Sequence, residues 1–290
     1  MVCQICRSKA VTSKFLIEDY EYNIKSKAEY KVCKDCTVIY RERFNKLKIE
    51  NLYGKNYLPI SGGLFYDFLK KLNSSYELAM IQRLRKKKFN SRIEKLRILD
   101  IACGKGFLIE KFSRDVNSDC YGIDINQEDK IKRANLRYYQ KPFNAFNFIR
   151  KINPNLIILN NFLEHIENLD EFKQFLNILN KNACLIIITP DSSGKINKIF
   201  DKHWSGYHSP RHVNIFNQKS MRLFLTKNNL DFYIENILDP LSILSSLKNC
   251  YTDLVYKFKF KKLGKLIFCL LRSAIYFFNK NRMIIICKKK

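Results

Sequence analysis

The stretch between residues 98 and 124 limits the choice of fold more than any other part of the chain. Ile98-Leu-Asp-Ile-Ala102 is a short apolar run that ends in Cys103-Gly-Lys-Gly106, and an apolar-periodic segment, Phe107–Phe112, follows directly. Strand, glycine turn and helix in that order bring bare backbone amides and a helix N-terminus up to a ligand. Asp124 closes the next strand signal, Cys120-Tyr-Gly-Ile-Asp124, and an acid at that tip is placed to take two ribose hydroxyls. Strand signals recur at 136–139, 155–160 and 184–189, with a helical pattern over 169–179, and segments 231–238 and 282–288 could add a final pair. This alternation predicts an α/β fold built on a parallel, doubly wound sheet. The chain contains neither a second G-x-G-x-x-G nor a P-loop, which argues against a nicotinamide enzyme or a nucleotide triphosphatase.

The N-terminus carries a different signal. Cys3-Gln-Ile-Cys6 and Cys33-Lys-Asp-Cys36 are two knuckles whose two-residue spacers let paired sulfurs converge on one point. Short strands over 15–22 and 28–32 between them give the pattern of a small zinc ribbon. The other six of the ten cysteines are scattered singly through apolar segments, as buried thiols are. Four thiolates close a tetrahedron, so Cys3, Cys6, Cys33 and Cys36 predict a structural metal, zinc.

With 290 residues, the chain has room for about two domains of roughly 150 residues each. Segment 1–50 is the zinc-ribbon-like module, 51–92 a linker and helical segment, 93–238 the α/β core, and 239–290 a helical basic and aromatic segment with the last strand. Within the linker segment, residues 64–90 read as a helix with Leu64, Phe68, Leu72, Leu78, Ile81 and Leu84 on apolar spacing. Its basic run 83–88 reads as a solvated face.

At this level of detail the motifs resemble a known family. Ile98-Leu-Asp-Ile-Ala-Cys-Gly-Lys-Gly-Phe107 looks like motif I of class I S-adenosylmethionine-dependent methyltransferases, and Tyr121-Gly-Ile-Asp124 like their ribose-binding motif. Asn160-Asn-Phe-Leu-Glu-His-Ile166 resembles their fourth-strand motif and Cys184–Pro190 their fifth strand. The segment Trp204-Ser-Gly-Tyr-His-Ser-Pro-Arg-His-Val-Asn-Ile-Phe216 is similar to a signature of family members that act in surface-sugar and small-molecule pathways, several of which open with paired CxxC knuckles and a tyrosine pair, here Tyr53 and Tyr57. The resemblance implies a Rossmann-like seven-stranded methyltransferase sheet beside the ribbon. It also implies a S-adenosylmethionine site at Asp100, Ala102, Cys103, Gly104, Gly106, Asp124, Ile125, Gln140 and Asn160. Three positions depart from the pattern: Ala102 replaces a glycine, Gln140 an acid that often meets the adenine amine, and Asn155 an aspartate at the start of strand four.

Methyl transfer from a sulfonium is an in-line displacement, and a hydroxyl acceptor needs a base to take its proton. Histidine suits that task near neutrality. The family's Glu-His pair falls on Glu164 and His165, which makes His165 the candidate base and Glu164 its orienter; His208 is a further catalytic candidate. Trp204, Tyr207, Arg211 and His212, with Tyr53 and Tyr57, are the candidate acceptor residues, and Arg211 is suited to clamp a phosphate or carboxylate. The expected acceptor is a sugar or similar small polar metabolite, such as a nucleotide-sugar or glycan precursor, with O-methylation ahead of C-methylation.

The net charge of +26 keeps acidic partners in view. An RNA methyltransferase is one alternative, although the chain has no Asn/Asp-Pro-Pro-Tyr-type motif, and a non-catalytic zinc adaptor on a decayed fold is another. Basic and aromatic residues interleaved over 256–278 read as a pair of helices covering the sheet before its last strand, with contact with an anionic membrane surface as the alternative. Neither a signal peptide nor a spanning helix is visible, so the expected location is cytoplasmic, with peripheral contact at the inner membrane.

Overall fold

The computed structural model describes residues 2–22, 27–42, 63–89, 95–126, 133–257, 267, 269–271 and 279–290. Tyr53, Tyr57 and most of segment 256–278 lie outside these residues. The chain divides into two compact units. The ribbon unit is Met1–Gly54, Thr189–Phe224 and Glu235–Met283, and the core unit is Lys55–Ile188, Leu225–Ile234 and Ile284–Lys290.

The ribbon unit carries a four-stranded sheet in the order β1-β2-β3-β9: β1 Val11–Glu18, β2 Lys27–Cys33, β3 Ile39–Arg41 and β9 Asn214–Ile215. β1 stops at Glu18, short of the expected residue 22. The Asp19 carboxylate accepts the backbone N–H groups of Glu21 and Tyr22, and such an Asx turn diverts the chain from a ladder. The antiparallel pairing of Tyr40 with Asn214 ties the N-terminal segment to residues some 170 positions later in sequence. Tyr30, Ile39, Phe200, Trp204 and Ile215 form the centre of this unit's apolar core.

The core unit is organised by a seven-stranded mixed sheet of order β10-β11-β8-β7-β4-β5-β6. Its strands are β4 Leu96–Ile101, β5 Ser118–Asp124, β6 Leu136–Gln140, β7 Leu156–Asn160, β8 Cys184–Pro190, β10 Leu230–Leu238 and β11 Lys280–Lys289. β4 pairs in parallel with both β5 and β7, and β7 with β8. Runs such as Leu156-Ile-Ile-Leu159 and Leu185-Ile-Ile-Ile188 are buried throughout, as strands covered on both faces must be. The sheet is therefore the seven-stranded Rossmann-like one expected, in mixed form where the strand pattern alone suggested a purely parallel one.

Helix α1 spans Leu64–Phe89, α2 Phe107–Phe112, α3 Phe146–Ile152, α4 Leu169–Ile178, α5 Lys195–Phe200, α6 Gln218–Lys227 and α7 Pro240–Lys257. α4 shows how local sequence sets an element. The Asn168 side chain caps it by accepting the Asp170 N–H, and Asp170 and Glu171 favour the positive end of the helix dipole. Leu169, Phe172, Phe175 and Leu176 then form its buried stripe. Among the described residues, no helix is long and apolar enough to cross a membrane.

Candidate functional site

The glycine turn begins where β4 ends. The Cys103 N–H donates to the Ile123 carbonyl of β5 at 3.1 Å, and the Gly106 N–H closes the turn onto the Cys103 carbonyl at 2.9 Å. Ala102, Gly104 and Gly106 all have positive φ, at 55°, 52° and 81°. Each such residue reverses the chain, so the turn 102–106 lies at the carboxyl edge of the sheet, where open α/β sheets bind ligands. Among the described residues, nothing lies within 4 Å of the place a β-carbon on Gly104 would take. Gly106 is the opposite case, because the phenol end of Tyr138 fills the place its β-carbon would take. Burial, followed by the neighbouring Cys103 and Asp100, pushes the Tyr138 phenol above its ordinary range.

Asp124 faces this turn. Its Oδ2 accepts the Gly104 N–H at 2.8 Å and its Oδ1 the Asn126 N–H at 2.9 Å. One backbone donor on each oxygen orients the carboxylate and leaves further lone pairs on both. Ile125 beside it is 56% exposed, and the Gln140 amide donates to the Ile125 carbonyl at 3.0 Å. Asp100 is buried within β4. Asn155 sits at the other end of the sheet, where it accepts the Arg97 N–H and donates to the Lys95 carbonyl. It joins the starts of β4 and β7, away from the glycine turn.

β4–β7 register pairs Ile101 with Leu159, so Asn160 follows alongside Ala102. Leu163–His165 form a single helical turn directly after β7, with the His165 N–H on the Phe162 carbonyl at 3.0 Å. Glu164 is fully buried there and His165 half-buried.

Two residues of the site were not foreseen. Lys105, inside the glycine turn, donates to both oxygens of Asp67 on α1 at 3.1 and 3.0 Å. Glu77, also on α1, accepts from the Asn160 amide at 2.9 Å and from the Asn73 amide at 2.7 Å. The sequence did hold a signal for them. Asp67, the partner of Lys105, and Glu77 are the only acids in a helix that otherwise carries lysines and arginines, and an acid on a basic helix is apt to have an inward partner.

In the ribbon unit the four knuckle sulfurs lie within 4.8 Å of one another. Cys3 and Cys36 are 3.6 Å apart and Cys6 and Cys33 3.3 Å, close to the edge of about 3.8 Å in a zinc–thiolate tetrahedron with bonds of about 2.3 Å. The two knuckles share one hydrogen-bond pattern. Arg7 N–H donates to Cys3 and Thr37 N–H to Cys33, while Cys3 N–H donates to Ser8 and Cys33 N–H to Val38. Arg7 and Thr37 take the same left-handed conformation. The cluster suits a four-thiolate metal.

The segment after α5 is packed inside the same unit. Trp204 is 1% exposed, folds over Gly206 and meets Tyr207 edge-on at 5.3 Å. Both aromatic residues belong to the apolar core. Arg211, the expected anion clamp, is buried with Nη1 on Asp19 at 2.9 Å and its guanidinium over Tyr22 at 4.2 Å; an acceptor phosphate would have to displace Asp19. Burial outweighs Arg211 and raises the Asp19 carboxyl. The His208 Nδ1 meets Glu21 at 2.7 Å. Burial alone would raise the Glu21 carboxyl, but His208 outweighs it and holds it below the ordinary range. His212 Nδ1 donates to the Gly206 carbonyl at 2.8 Å.

A model of a methyltransferase domain matches residues 72–235. The chain belongs to that methyltransferase family. The matched span begins within α1 and so takes in Glu77, the glycine turn, Asp124 and the Glu164–His165 turn.

Among solved structures, the plantazolicin methyltransferase BamL, determined with a desmethyl-plantazolicin analogue and SAH, is similar at 15% identity and a TM-score of 0.50 over 84% of this chain and 97% of its own. A SAM-dependent methyltransferase from Archaeoglobus fulgidus is 18% identical, with a TM-score of 0.45 over 78% of this chain and all of its own. Phosphoethanolamine N-methyltransferase 2 of Haemonchus contortus is also 18% identical, with a TM-score of 0.46 over 84% of this chain and 56% of its own. At these identities the likeness to BamL is one of fold. None of the curated proteins matches the chain.

Proposed function

We propose that the chain is a S-adenosylmethionine-dependent methyltransferase acting on a small polar metabolite, a sugar or nucleotide-sugar precursor, with oxygen as the favoured acceptor and carbon as the alternative. The Asp124 carboxylate, held against the Gly104 amide at the carboxyl edge of β5, is the observation that carries the cofactor assignment. The residues fit the group. Asp124 has lone pairs for two ribose hydroxyls, Gly104 leaves open space beside it, and the exposed Ile125 side chain offers an apolar face for adenine. Asp100, Ala102, Cys103, Gly106, Gln140 and Asn160 complete the proposed cofactor set. When bound, the cofactor supplies a methyl group on a positively charged sulfur.

Within this reading, His165 takes the proton from the acceptor hydroxyl and the buried Glu164 orients it. The sugar-type acceptor is supported by the likeness of the segment running from Trp204 to Phe216 to sugar-pathway methyltransferases. Zinc held by Cys3, Cys6, Cys33 and Cys36 is assigned a structural role, since four thiolates leave no open position.

Calorimetric titration of nucleic-acid-free protein with S-adenosylhomocysteine tests the cofactor assignment. Wild-type protein is expected to bind in the micromolar range, and D124A to bind at least tenfold more weakly, as befits lost hydrogen bonds to a charged group. Equal affinity in the two proteins would remove Asp124 from the site, and no binding by either would overturn the methyltransferase reading.

A further inference from the structure

Glu77 is 1% exposed in the middle of α1, and neither the cofactor set nor the catalytic pair includes it. Its Oε2 accepts from the Asn160 Nδ2 and its Oε1 from the Asn73 Nδ2. A carboxamide has one donor end and one acceptor end. With the donor end of Asn160 held by Glu77, its Oδ1 is turned to the opposite side of the amide. Asn160 is the last residue of β7, alongside the glycine turn, so this orientation decides whether the strand end offers a ligand an oxygen or an N–H. A free asparagine could offer either one.

We propose that Glu77 is a positioning residue that fixes the Asn160 amide with its oxygen toward the ligand, making this strand end selective for a cationic hydrogen-bond donor. The inference rests on the cofactor reading above, in which the donor is the ammonium of the amino-acid arm. Glu77 itself touches no ligand. It acts through Asn160, and through α1 it links the helix to the end of the sheet. Losing the orientation leaves either a repelling N–H or an unpartnered ammonium, and sites built around one hydrogen bond discriminate strongly against ligands that cannot make it.

The test compares two probes by calorimetry, S-adenosylhomocysteine and 5′-methylthioadenosine. The second keeps the nucleoside and thioether but lacks the amino-acid arm. Wild-type protein is expected to prefer the first. E77L should reduce that preference about tenfold, with methylthioadenosine affinity unchanged. Adding N160D to E77L should restore most of the preference, because a carboxylate presents an oxygen whichever way it turns. An unchanged preference in E77L would overturn the proposal. So would equal weakening of both probes, or a loss that N160D leaves in place, since either result would mark Glu77 as a packing residue only. If E77L does not melt cooperatively, E77S, which leaves a polar space, is put through the same comparison. Failure of wild-type protein to bind either probe would instead overturn the cofactor reading.

Discussion

The Tyr138 phenol occupies the space that a β-carbon on Gly106 would need, with its Cε1 and Cζ both 2.8 Å from that point. Gly106 also has φ of 81°, so two independent demands require glycine at the end of the turn. G106A should therefore combine left-handed strain with overpacking and destabilise the protein by about 3 kcal/mol. Denaturant unfolding measures this, and Y138A in the same background should recover part of the loss. A destabilisation below about 1 kcal/mol would show that the ring moves aside freely.

Ala102 presents the reverse situation. It stands where related turns carry glycine and still adopts φ of 55°, a conformation that costs an alanine about 1 kcal/mol or more. A102G should stabilise the protein by about 0.5 kcal/mol after the greater flexibility of its unfolded chain is set against the relief, which for a protein of this size raises Tm by about 1–2 °C. A lower Tm would mean that the alanine methyl makes contacts worth more than the strain.

The core sheet and the glycine turn were readable because each depends on local pattern. Apolar runs such as 156–159 mark strands buried on both faces, and closely spaced glycines after the first of them mark a tight turn. Contacts between distant segments were not readable. Nothing near Ile39 or Asn214 announces that β3 pairs with β9, and Asp67 and Glu77 lie in a helix whose basic run drew attention to its outer face. The residues from Trp204 to Arg211 were legible as a motif but not as a location. Aromatic and arginine side chains suit a ligand and a core equally well, and here they lie in the core of the ribbon unit.

Glu110 on α2 gives a pH prediction. Burial would raise its carboxyl, but hydrogen bonds from Arg133 at 2.7 Å and Arg114 at 3.3 Å outweigh that and lower it below the ordinary 4.5. A carboxylate lowered on folding stabilises the protein in full above its unfolded value, and that contribution is lost as pH falls through the folded value. E110Q should thus cost about 1 kcal/mol near neutrality, since both arginines are half-exposed, and the difference from wild type should shrink below pH 4.5. Unfolding curves at pH 7 and pH 3.5 decide it; a constant difference would rule the carboxylate out as the source.

Asp19 and Arg211 form an ion pair with both side chains fully buried. Removing one partner leaves the other charge uncompensated, which typically costs 3–5 kcal/mol. D19A should destabilise the protein by about that amount, and D19A with R211M should recover most of it, because an apolar pair of similar volume tolerates burial. If D19A alone were nearly neutral, Arg211 would have another anionic partner, and the acceptor-clamp role would regain support.

The knuckle sulfurs supply the last prediction. Three of the four cysteines are buried, and their turns anchor the start of β1 and the end of β2, strands that carry Ile17 and Tyr30 into the core of the ribbon unit. A metal there would cross-link the two knuckles, and its binding energy would be folding energy. Protein purified with zinc should contain one ion per chain, releasable to a chromogenic chelator only after thiol modification or unfolding. C33S should bind less than one ion and lower Tm, because an alcohol is a poor fourth ligand and its neighbours lose the cross-link. Retention of one zinc per chain in C33S would place the metal elsewhere, and wild-type protein that stays metal-free in excess zinc would make the cluster four packed thiols.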